Sequence, residues 1–430
     1  MLEISRLRRE RDRAVAGLTK RGLQAERLVD EVLRLDDRRR ATQADMDAIQ
    51  GEANALSREI GERMRAGDRA GGEALKGQVS ALKAKLAPLQ DAHTAAADAL
   101  GEALLQLPNV PHESVPEGRT PDDNEVFRAH PGELPVLPKG ARPHWELGKA
   151  YGLFDLELGV KLTGAGFIVY RGQGARLQRA LINFFLDRAT AAGYEEIQPP
   201  HLVNEASARG TGQLPDKEGQ MYHAATDDLY LIPTAEVPIT NLNRGDIVDA
   251  DALPITYCGY TPCFRREAGS YGKDVRGLNR VHQFDKVEIV RVEHPDRSYA
   301  ALEGMLAHVS GLLEALELPY RILRLCGGDM GFTSALTYDF EVWSAAQERW
   351  LEVSSVSNFE TFQANRLKLR VRDGKDKRLA HTLNGSALAL PRVVAALLEN
   401  HQSSGGIRVP AALQPYFGGR ALIEAPRTAA

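Results

Sequence analysis

The chain has 430 residues, which is enough for two or three domains that each bury a core of their own. Its hydrophobic content of 43% and charged content of 26% are ordinary for a globular protein. The formal net charge of −4 excludes a polycation, so any contact with nucleic acid must use local basic patches. The sequence contains no apolar stretch of membrane-spanning length, and its charged N-terminus does not resemble a signal peptide.

The chain has three cysteines, Cys258, Cys263 and Cys326. Such an odd and sparse set does not form a disulfide framework, which fits a reducing compartment. The spacing also differs from that of paired CxxC ligands in structural zinc sites. We therefore expect buried, reduced thiols.

Residues 1 to about 105 are rich in Ala, Leu, Arg, Glu and Asp, and apolar residues recur there with the spacing of two helices packed along their length. The first apolar seam is interrupted by Arg39 and Thr42. The two seams consist of Leu28, Val32, Leu35, Met46, Ile49, Ala53, Leu56 and Ile60, and of Leu75, Val79, Leu82, Leu86, Leu89, Ala96 and Leu100. The glycines of residues 67–72 signal a turn between them. We predict an antiparallel hairpin within one chain, because a parallel dimeric coiled coil gains nothing from a central break.

The remainder of the chain divides into two segments that differ in composition. Residues 106–145 contain repeated prolines, which prevent a long helix and predict a linker. Residues 146–430 mix helical and strand-like segments without regular βαβ repetition, which predicts an α+β domain with a mainly antiparallel sheet. The predicted helices are Gln178 to Ala192 and Ser298 to Leu316, and the predicted strands include Tyr194 to Pro200, Glu288 to Val292 and Arg321 to Leu325.

The segment from Cys263 to Glu288 is dense in cations, carboxylates and aromatics around a glycine-bearing loop, with strand-like residues on both sides. This pattern predicts two antiparallel strands joined by a long loop that binds a polyanion. Arg265 offers a rigid, permanently charged fork for phosphate, and Phe284 offers a flat face for a base. Glu267 and Glu288 can hold amino groups or a metal. A solvated, purely structural hairpin is the alternative, although unpaired charge near a core is costly.

Three more segments complete a recognisable set: Leu231 to Pro238, Trp350 to Asn358, and His381 to Arg392. Together with the charged hairpin they closely resemble the bacterial type of seryl-tRNA synthetase, a family of class II aminoacyl-tRNA synthetases. The resemblance runs through nearly the whole chain. The arginine-bearing loop and the terminal arginine helix are shared by many class II synthetases, whereas the Thr-Ala-Glu, Glu-Val-Ser-Ser and Asn-Gly-Ser segments point to serine.

The resemblance implies an architecture and an activity. The expected fold is α+β, with an antiparallel two-helix coiled-coil arm (1–105), a Pro-rich linker (106–145) and a class II catalytic domain on an antiparallel sheet flanked by helices (146–430). The implied enzyme is a cytoplasmic homodimer that activates L-serine with ATP and Mg²⁺ to seryl-adenylate. It then transfers serine to the 3′ end of serine tRNA, and also of selenocysteine tRNA. Pro200 takes the position of a proline that the family places at the two-fold interface.

The resemblance also assigns roles to single residues. The candidate catalytic residues are Arg265, on the α-phosphate and the substrate carboxylate, Arg392, on the γ-phosphate, and Glu352. The implied serine site consists of Thr234, Ala235, Glu236, Arg265, Glu288 and Ser386. The implied ATP site consists of Arg265, Arg266, Glu267, Val281, Phe284, Glu352, Val353, Ser354, Ser355 and Arg392, with Phe284 under the adenine. Glu352 and Ser355 are the expected Mg²⁺ ligands; zinc is not expected, although one branch of the family uses it.

In the family the arm contacts the long variable arm of serine tRNA. The basic residues that can meet phosphates here are Arg6, Arg8, Arg9, Arg11, Arg13, Lys20, Arg21, Arg38, Arg39 and Arg40. For any single one of them, a solvated outer face of a coiled coil is the simpler interpretation.

Other interpretations stay open at this point. Arg265 and Arg392 could form structural salt bridges, and Thr234 and Ser386 could cap backbone groups. The chain could also be a paralogue that loads a carrier protein, although such relatives usually lack the arm. A catalytically silent paralogue that binds tRNA or serves as a scaffold is a further alternative.

The C-terminal motif departs from the family at two positions. Ala387 and Pro391 stand where the family commonly has glycine. A proline inside a helix removes a backbone hydrogen bond, so we expect Pro391 to bend the helix that carries Arg392.

Overall fold

The computed structural model describes residues 1–137, 139–216, 219–268 and 276–425. Its helices are α1 (Ile4–Arg9), α2 (Arg11–Lys20), α3 (Ala25–Arg65), α4 (Arg69–Gln106), α5 (His144–Tyr151), α6 (Leu156–Leu162), α7 (Gly172–Ala191), α8 (Glu205–Thr211), α9 (Glu236–Thr240), α10 (Ser298–Ala315), α11 (Thr361–Leu367) and α12 (Leu390–Asn400). Its strands are β1 (Glu125–Arg128), β2 (Phe154–Asp155), β3 (Val169–Tyr170), β4 (Glu195–Glu196), β5 (Leu202–Val203), β6 (His223–Ala224), β7 (Leu229–Leu231), β8 (Ile247–Asp249), β9 (Ile255–Phe264), β10 (Gln283–Glu293), β11 (Tyr320–Arg324), β12 (Leu336–Ser344), β13 (Arg349–Asn358), β14 (Arg370–Asp373), β15 (Asp376–Leu379), β16 (His381–Ala389), β17 (Gln402–Ser403), β18 (Gly406–Arg408) and β19 (Leu422–Ile423). The chain forms two compact units: Met1–Thr19 with Leu23–Pro108, and Lys20–Gly22 with Asn109–Ala430.

The first unit contains the predicted helical hairpin, in which α3 and α4 pack along their length. Val32 and Ala53 of α3 and Val79 and Leu100 of α4 are buried, and they belong to the two apolar seams. Burial of this stripe, rather than local helix propensity alone, stabilises helices of this length. The coiled-coil arm predicted from the sequence is therefore confirmed.

The turn between the two helices follows from its sequence. Gly67 has a φ of 85°, a left-handed conformation that favours glycine at the end of a helix. Asp68 then caps α4, because its carboxylate accepts a hydrogen bond of 2.9 Å from the backbone N–H of Gly71. Thr42, one of the polar residues that interrupt the first seam, has a hydrogen-bond partner on the facing helix: its hydroxyl lies 3.2 Å from Nδ1 of His93 on α4.

The second unit is built on an eight-stranded sheet with the strand order β1-β11-β12-β13-β16-β10-β9-β4. Neighbouring strands are antiparallel except for β4, which runs parallel to β9. Helices α7, α10 and α12 pack on this sheet. Val287 and Ile289 of β10 belong to the resulting core. Because strand side chains alternate, Lys286 and Glu288 project from the other face, where the cavity described below lies. The predicted α+β class is confirmed.

Two predicted segments differ in detail from the structure. The helix expected from Gln178 already begins at Gly172 as α7. The strand expected over Tyr194 to Pro200 was wrong in its extent, since only Glu195–Glu196 pairs with β9, as β4. Proline cannot donate to a strand ladder, which accounts for the early end.

The proline-rich segment 106–145 contributes to the sheet. Residues Glu125–Arg128 form the edge strand β1, which pairs with β11 in an antiparallel ladder. Prolines there exclude a long helix, as predicted, but leave room for a short edge strand between them. The segment therefore contains ordered structure that proline content alone does not reveal.

The three cysteines are free and buried, as predicted. Burial raises the pKa of the Cys258 thiol to about 12. Within the described residues, we find no helix that is both long and apolar enough to cross a membrane.

Candidate functional site

A cavity of about 510 Å³ lies on the sheet face opposite the packed helices. It gathers most of the site residues predicted from the sequence: Thr234, Glu236, Arg265, Glu267, Val281, Phe284, Glu288, Glu352, Val353, Ser354, Ser355, Ser386 and Arg392. Two predicted residues do not line it. Ala235 is fully buried against Ile239 and Val290, and the side chain of Arg266 is exposed.

The predicted charged hairpin is present. Strands β9 and β10 pair antiparallel, with Phe264 opposite Gln283 and Gly259 opposite Glu288. Beyond β9, Glu267 adopts a left-handed φ of 48° and forms an ion pair with Arg280 on the returning segment. The predicted polyanion-binding loop itself, residues 269–275, lies outside the described residues.

One end of the cavity holds a buried ion pair between Lys286 and Glu288. The ammonium of Lys286 also donates a 2.8 Å hydrogen bond to the hydroxyl of Thr234, which in turn donates to Glu288 at 3.2 Å. The hydroxyl of Ser386 donates to the same carboxylate oxygen at 3.5 Å. Thr234 additionally accepts a hydrogen bond from the backbone N–H of Glu236 at 3.2 Å, so it caps the backbone and contacts the acid as well.

Glu236 is the second acid at this end and is 8% exposed. Its carboxylate accepts a 2.6 Å hydrogen bond from the amide of Gln363, which is itself held by the hydroxyl of Thr382 at 2.7 Å. Burial, and then the charge of Glu288, raise the pKa of Glu236 to about 7. Two acids facing one lysine leave this end of the cavity suited to one further cation, such as an ammonium group.

The other end of the cavity carries two arginines. The guanidinium of Arg265 lies 5.2 Å from the ring centre of Phe284 and donates to the carbonyl of Pro233 at 3.3 Å. Arg392 donates to the carbonyl of Asn279 at 2.8 Å and to that of Glu352 at 2.9 Å. Both guanidinium groups line the cavity, where they can meet phosphate oxygens.

The expected bend at Pro391 was wrong. Helix α12 begins at Leu390, so Pro391 stands in its first turn. The first backbone N–H groups of a helix have no intrahelical partner, and proline is favoured at that position. Arg392 therefore lies at the beginning of an unbroken helix, next to the cavity.

An oxygen-rich wall adjoins Arg392. The hydroxyl of Ser355 donates to the carboxylate of Glu352 at 3.3 Å, so the two predicted metal ligands are neighbours. Behind them on β12, one carboxylate oxygen of Asp339 is buried and has no hydrogen-bond partner among the described residues. Burial, and then the charge of Glu352, raise the pKa of Asp339 well above its usual range. Carboxylate and hydroxyl oxygens are what a hard divalent cation prefers, so these residues fit Mg²⁺.

The sequence interpretation missed several polar residues of the cavity. Lys286, Asn279, Arg280 and Asn384 line it, and none was singled out. For Lys286 a signal was present, because it lies two residues before Glu288 on a strand and so shares its face. For Asn384 and Asn279 no local pattern indicates an inward side chain.

Two family models match the chain. Residues 1–111 match the seryl-tRNA synthetase N-terminal domain, and residues 221–401 match the class II tRNA synthetase core domain of the G, H, P, S and T enzymes. The chain is 52% identical over 421 residues to a serine--tRNA ligase of Salinibacter ruber, covering 97% of this chain and 98% of that protein. It is 47% identical over 429 residues to a serine--tRNA ligase of Acidithiobacillus ferrooxidans, covering 99% of this chain and all (100%) of that protein.

The fold comparison gives the same result. The structure is similar to the crystal structure of seryl-tRNA synthetase from Pyrococcus horikoshii complexed with ATP, with a TM-score of 0.93 and 34% sequence identity. The match covers 99% of this chain and 100% of that chain. A prolyl-tRNA synthetase of Giardia lamblia, at 17% identity and a TM-score of 0.55, shares the fold alone.

Proposed function

The chain belongs to the seryl-tRNA synthetase family, and on that premise we propose that its cavity holds serine between Glu236 and Glu288 and ATP between Arg265 and Arg392. The protein is a serine--tRNA ligase with a class II core: it activates serine with ATP and charges tRNA with it. The observation that carries the residue assignment is the pair of buried acids at one end of the cavity and the two arginines at the other.

Selection of serine over alanine and glycine requires hydrogen bonds to its hydroxyl, because shape alone cannot detect a missing group of that size. Glu288 supplies a fixed acceptor, since Lys286, Thr234 and Ser386 all point at its carboxylate. A ligand without a hydroxyl leaves these buried polar groups without their substrate partner, which is costly. Glu236, with Lys286 already engaged by Glu288, is then the partner for the substrate ammonium.

The chemistry needs positioned charge rather than a protein nucleophile. An oxygen of the serine carboxylate attacks the α-phosphorus of ATP, the bond to the bridging β-phosphate oxygen breaks, and pyrophosphate leaves with that electron pair. Arg265, over the ring of Phe284, compensates the charge that develops on the α-phosphoryl oxygens. Arg392 compensates the departing pyrophosphate, and the adenine stacks on Phe284.

Glu352 and Ser355 would hold Mg²⁺, with Asp339 behind them as a further oxygen donor. The metal ion neutralises phosphate charge when ATP is bound. The fit of a hard cation to this oxygen-rich wall supports the assignment.

We further propose the finer properties that the family resemblance implies. The arm, residues 1–105, contacts tRNA; residues 106–145 connect it to a catalytic domain, residues 146–430; and two chains form a cytoplasmic C2 homodimer, the commonest kind of oligomer. Free, buried cysteines agree with a reducing compartment.

Selenocysteine tRNA is proposed as a second substrate. Sedimentation gives the oligomeric state, and an active species at the monomer mass of 47.1 kDa would contradict the dimer.

One experiment tests the central proposal. Serine-dependent exchange of labelled pyrophosphate into ATP is measured with serine, threonine, alanine and cysteine in turn. We expect strong exchange with serine alone. A catalytically silent paralogue would bind tRNA without any exchange, and equal exchange with alanine would contradict the role given to Glu288. Charging of serine tRNA and selenocysteine tRNA transcripts, compared side by side, tests the second substrate.

A further inference from the structure

A buried polar network lies behind the phosphate end of the cavity, and its centre is His144, the first residue of α5. His144 and Glu399 of α12 are both fully buried, at 0% exposed. Nδ1 of His144 lies 2.8 Å from the Glu399 carboxylate, and the backbone N–H of His144 donates to the same carboxylate at 2.9 Å. On the other edge of the ring, Nε2 accepts a 2.9 Å hydrogen bond from the backbone N–H of Leu278. The imidazole is therefore a donor at Nδ1 and an acceptor at Nε2.

Residues 276–278 pack against the first two residues of α5, His144 and Trp145. The guanidinium of Arg276 lies 4.5 Å from the ring centre of Trp145, the neighbour of His144. Gly277 has a φ of +68°, and a Cβ there would come within 2.3 Å of Nε2 of His144. Only glycine allows the backbone to approach the ring so closely.

The next residue, Asn279, connects this segment to the cavity. Its side-chain amide donates to Gln347 at 2.8 Å, and Gln347 donates to Glu399 at 3.2 Å. The backbone carbonyl of Asn279 accepts the 2.8 Å hydrogen bond from the guanidinium of Arg392. Arg392 and Glu399 lie about two turns apart on α12, so they lie along the same side of that helix. The contacts close a ring from His144 through Leu278, Asn279 and Arg392 to Glu399.

We propose that His144 is a positioning residue for ATP: by joining Glu399 to the backbone of Leu278, it holds the Asn279 carbonyl where it orients Arg392. The inference rests on the proposed phosphate role of Arg392. A neutral imidazole suits this place because it offers one donor and one acceptor on opposite edges, whereas an apolar side chain would leave the N–H of Leu278 buried without a partner. A core role alone would require only the volume of the ring.

The test compares two substitutions in the full-length protein. His144→Leu retains apolar volume and removes both polar atoms, while His144→Gln retains a donor and an acceptor of similar reach. Pyrophosphate exchange is measured against ATP and against serine. For His144→Leu we expect kcat/KM for ATP to fall about tenfold or more, with a raised KM for ATP and a KM for serine within about twofold of wild type. His144→Gln should restore most of the loss.

A matched control is His401→Leu. His401 is also buried, and its Nε2 lies 3.1 Å from the carbonyl of Leu316, a contact that is not part of the ring joining His144 to Arg392. Loss of this hydrogen bond should lower the free energy of unfolding while the KM for ATP stays at the wild-type value. If both leucine variants raise the KM for ATP equally, a general loss of packing explains the effect and the positioning role of His144 is rejected.

The remaining outcomes are decisive in either direction. A folded His144→Leu protein with wild-type KM and kcat overturns the proposal, and so does a lower kcat with both KM values unchanged, which a reduced folded fraction produces. If His144→Leu does not fold, Gln347→Met must raise the KM for ATP and spare serine, and an unchanged KM overturns the proposal. Arg392→Ala, measured in parallel, distinguishes failure of the His144 inference from failure of the proposed phosphate role of Arg392. If Arg392→Ala is severely impaired and His144→Leu is normal, only the positioning role of His144 is rejected. If Arg392→Ala is normal, the phosphate role is rejected and the inference with it.

Discussion

Lys286 and Glu288 form a buried ion pair on one face of β10, with side-chain exposures of only 6% and 2%. Each lies two residues from the other, so the strand itself brings the charges together. A buried pair stabilises little by itself, because desolvation offsets much of the attraction, but the loss of one partner leaves an uncompensated charge. The pair is therefore better explained by the proposed function, in which it fixes the Glu288 carboxylate that accepts a hydrogen bond from the serine hydroxyl.

The first prediction follows from this pair. Lys286→Met should raise the KM for serine at least tenfold, because Glu288 loses the cation that orients its carboxylate, and should change the KM for ATP far less. The free energy of unfolding should fall by about 3 kcal/mol, the lower range for one broken buried pair. Exchange kinetics and urea unfolding measure the two effects. As a control, Arg321→Met removes a partly exposed pair with Glu341 at 2.6 Å and should leave the KM for serine unchanged.

The second prediction concerns pH. Burial and then the charge of Glu288 raise the pKa of Glu236 to about 7 from its ordinary value of 4.5. An acid whose pKa is raised on folding contributes stability that is present below pH 4.5 and is lost as pH rises through 7. Relative to Glu236→Gln, the wild type should therefore lose on the order of 3 kcal/mol of stability between these limits.

Serine binding should respond to the same titration in the opposite direction. The substrate ammonium needs an ionised Glu236, so the KM for serine should fall as pH rises from 6 towards 8. In Glu236→Gln the KM should be high and should lack this dependence. A wild-type KM for serine that is flat across this range would contradict the assignment of Glu236 to the ammonium.

The third prediction concerns Arg265. Arg265→Ala should lower the rate of adenylate formation by on the order of 100-fold to 1000-fold, as expected when one positioned donor to developing charge is removed. Arg265→Lys should also be impaired, because a point charge cannot replace a planar fork. Exposed Arg266, one residue further along, provides the matched control, and Arg266→Ala should retain more activity. Near-normal exchange by Arg265→Lys would leave this residue with a structural role only.

The fourth prediction concerns the metal. Glu352→Gln keeps the shape of the side chain but removes its charge, so the Mg²⁺ concentration that gives half-maximal exchange should rise several-fold. The KM for serine at saturating Mg²⁺ should stay close to that of the wild type. Titration of exchange activity with MgCl₂ at fixed ATP makes the measurement, and an unchanged Mg²⁺ requirement would argue against Glu352 as a ligand.

The helical arm, the α+β class and the charged hairpin could be predicted from patterns that are local or spaced by a fixed period, whereas the site residues were assigned from the motifs that carry the family resemblance. The apolar seams of α3 and α4 are patterns of fixed period. Lys286 was missed because strand alternation, which places it on the same face as Glu288, was not applied to this segment. Pro391 was misjudged because its effect depends on where α12 begins, and the start of a helix is set by the preceding strand β16. The His144 network joins α5, α12 and the β12–β13 turn, and contacts between segments so far apart in the chain leave no pattern in the sequence.

Several basic side chains near the N-terminus already have partners within this chain, so they are less available to bind phosphate than the sequence suggests. Arg8 donates to Asp36 and Asp37 at 2.8 and 2.6 Å, and Arg11 forms a two-pronged contact with Asp30 at 2.8 and 2.9 Å. Arg21 donates to the carbonyl of Ser334 at 2.6 Å, within the second unit. By contrast, Arg38 and Arg40 of α3 are exposed. Contact with tRNA phosphates is therefore expected from exposed arginines of α3 such as Arg38 and Arg40, rather than from Arg8, Arg11 and Arg21.

The last prediction tests the arm with a deletion that respects these contacts. Removal of residues 1–105 would also remove Arg21 from the second unit, whereas Thr42 and His93 face each other across the hairpin. Replacing residues 38–97 by a short glycine-rich turn removes Arg38 and Arg40 together with the rest of the hairpin beyond them, and leaves Arg21 and its neighbours in place. We expect serine-dependent pyrophosphate exchange to stay largely intact, since the cavity lies wholly in the second unit, while charging of serine tRNA collapses.

A second variant removes positive charge from the arm while keeping its full length. Arg38→Gln with Arg40→Gln should weaken tRNA binding and reduce its dependence on salt, because fewer counterions are released from the phosphates. Arg63→Gln is the matched control, as that arginine lies near the tip of α3 and is paired with Glu59 at 2.7 Å. Filter binding at several salt concentrations gives the slope, and exchange activity confirms that the catalytic unit is unaffected. If the shortened enzyme still charged serine tRNA efficiently, the arm would have no part in tRNA recognition.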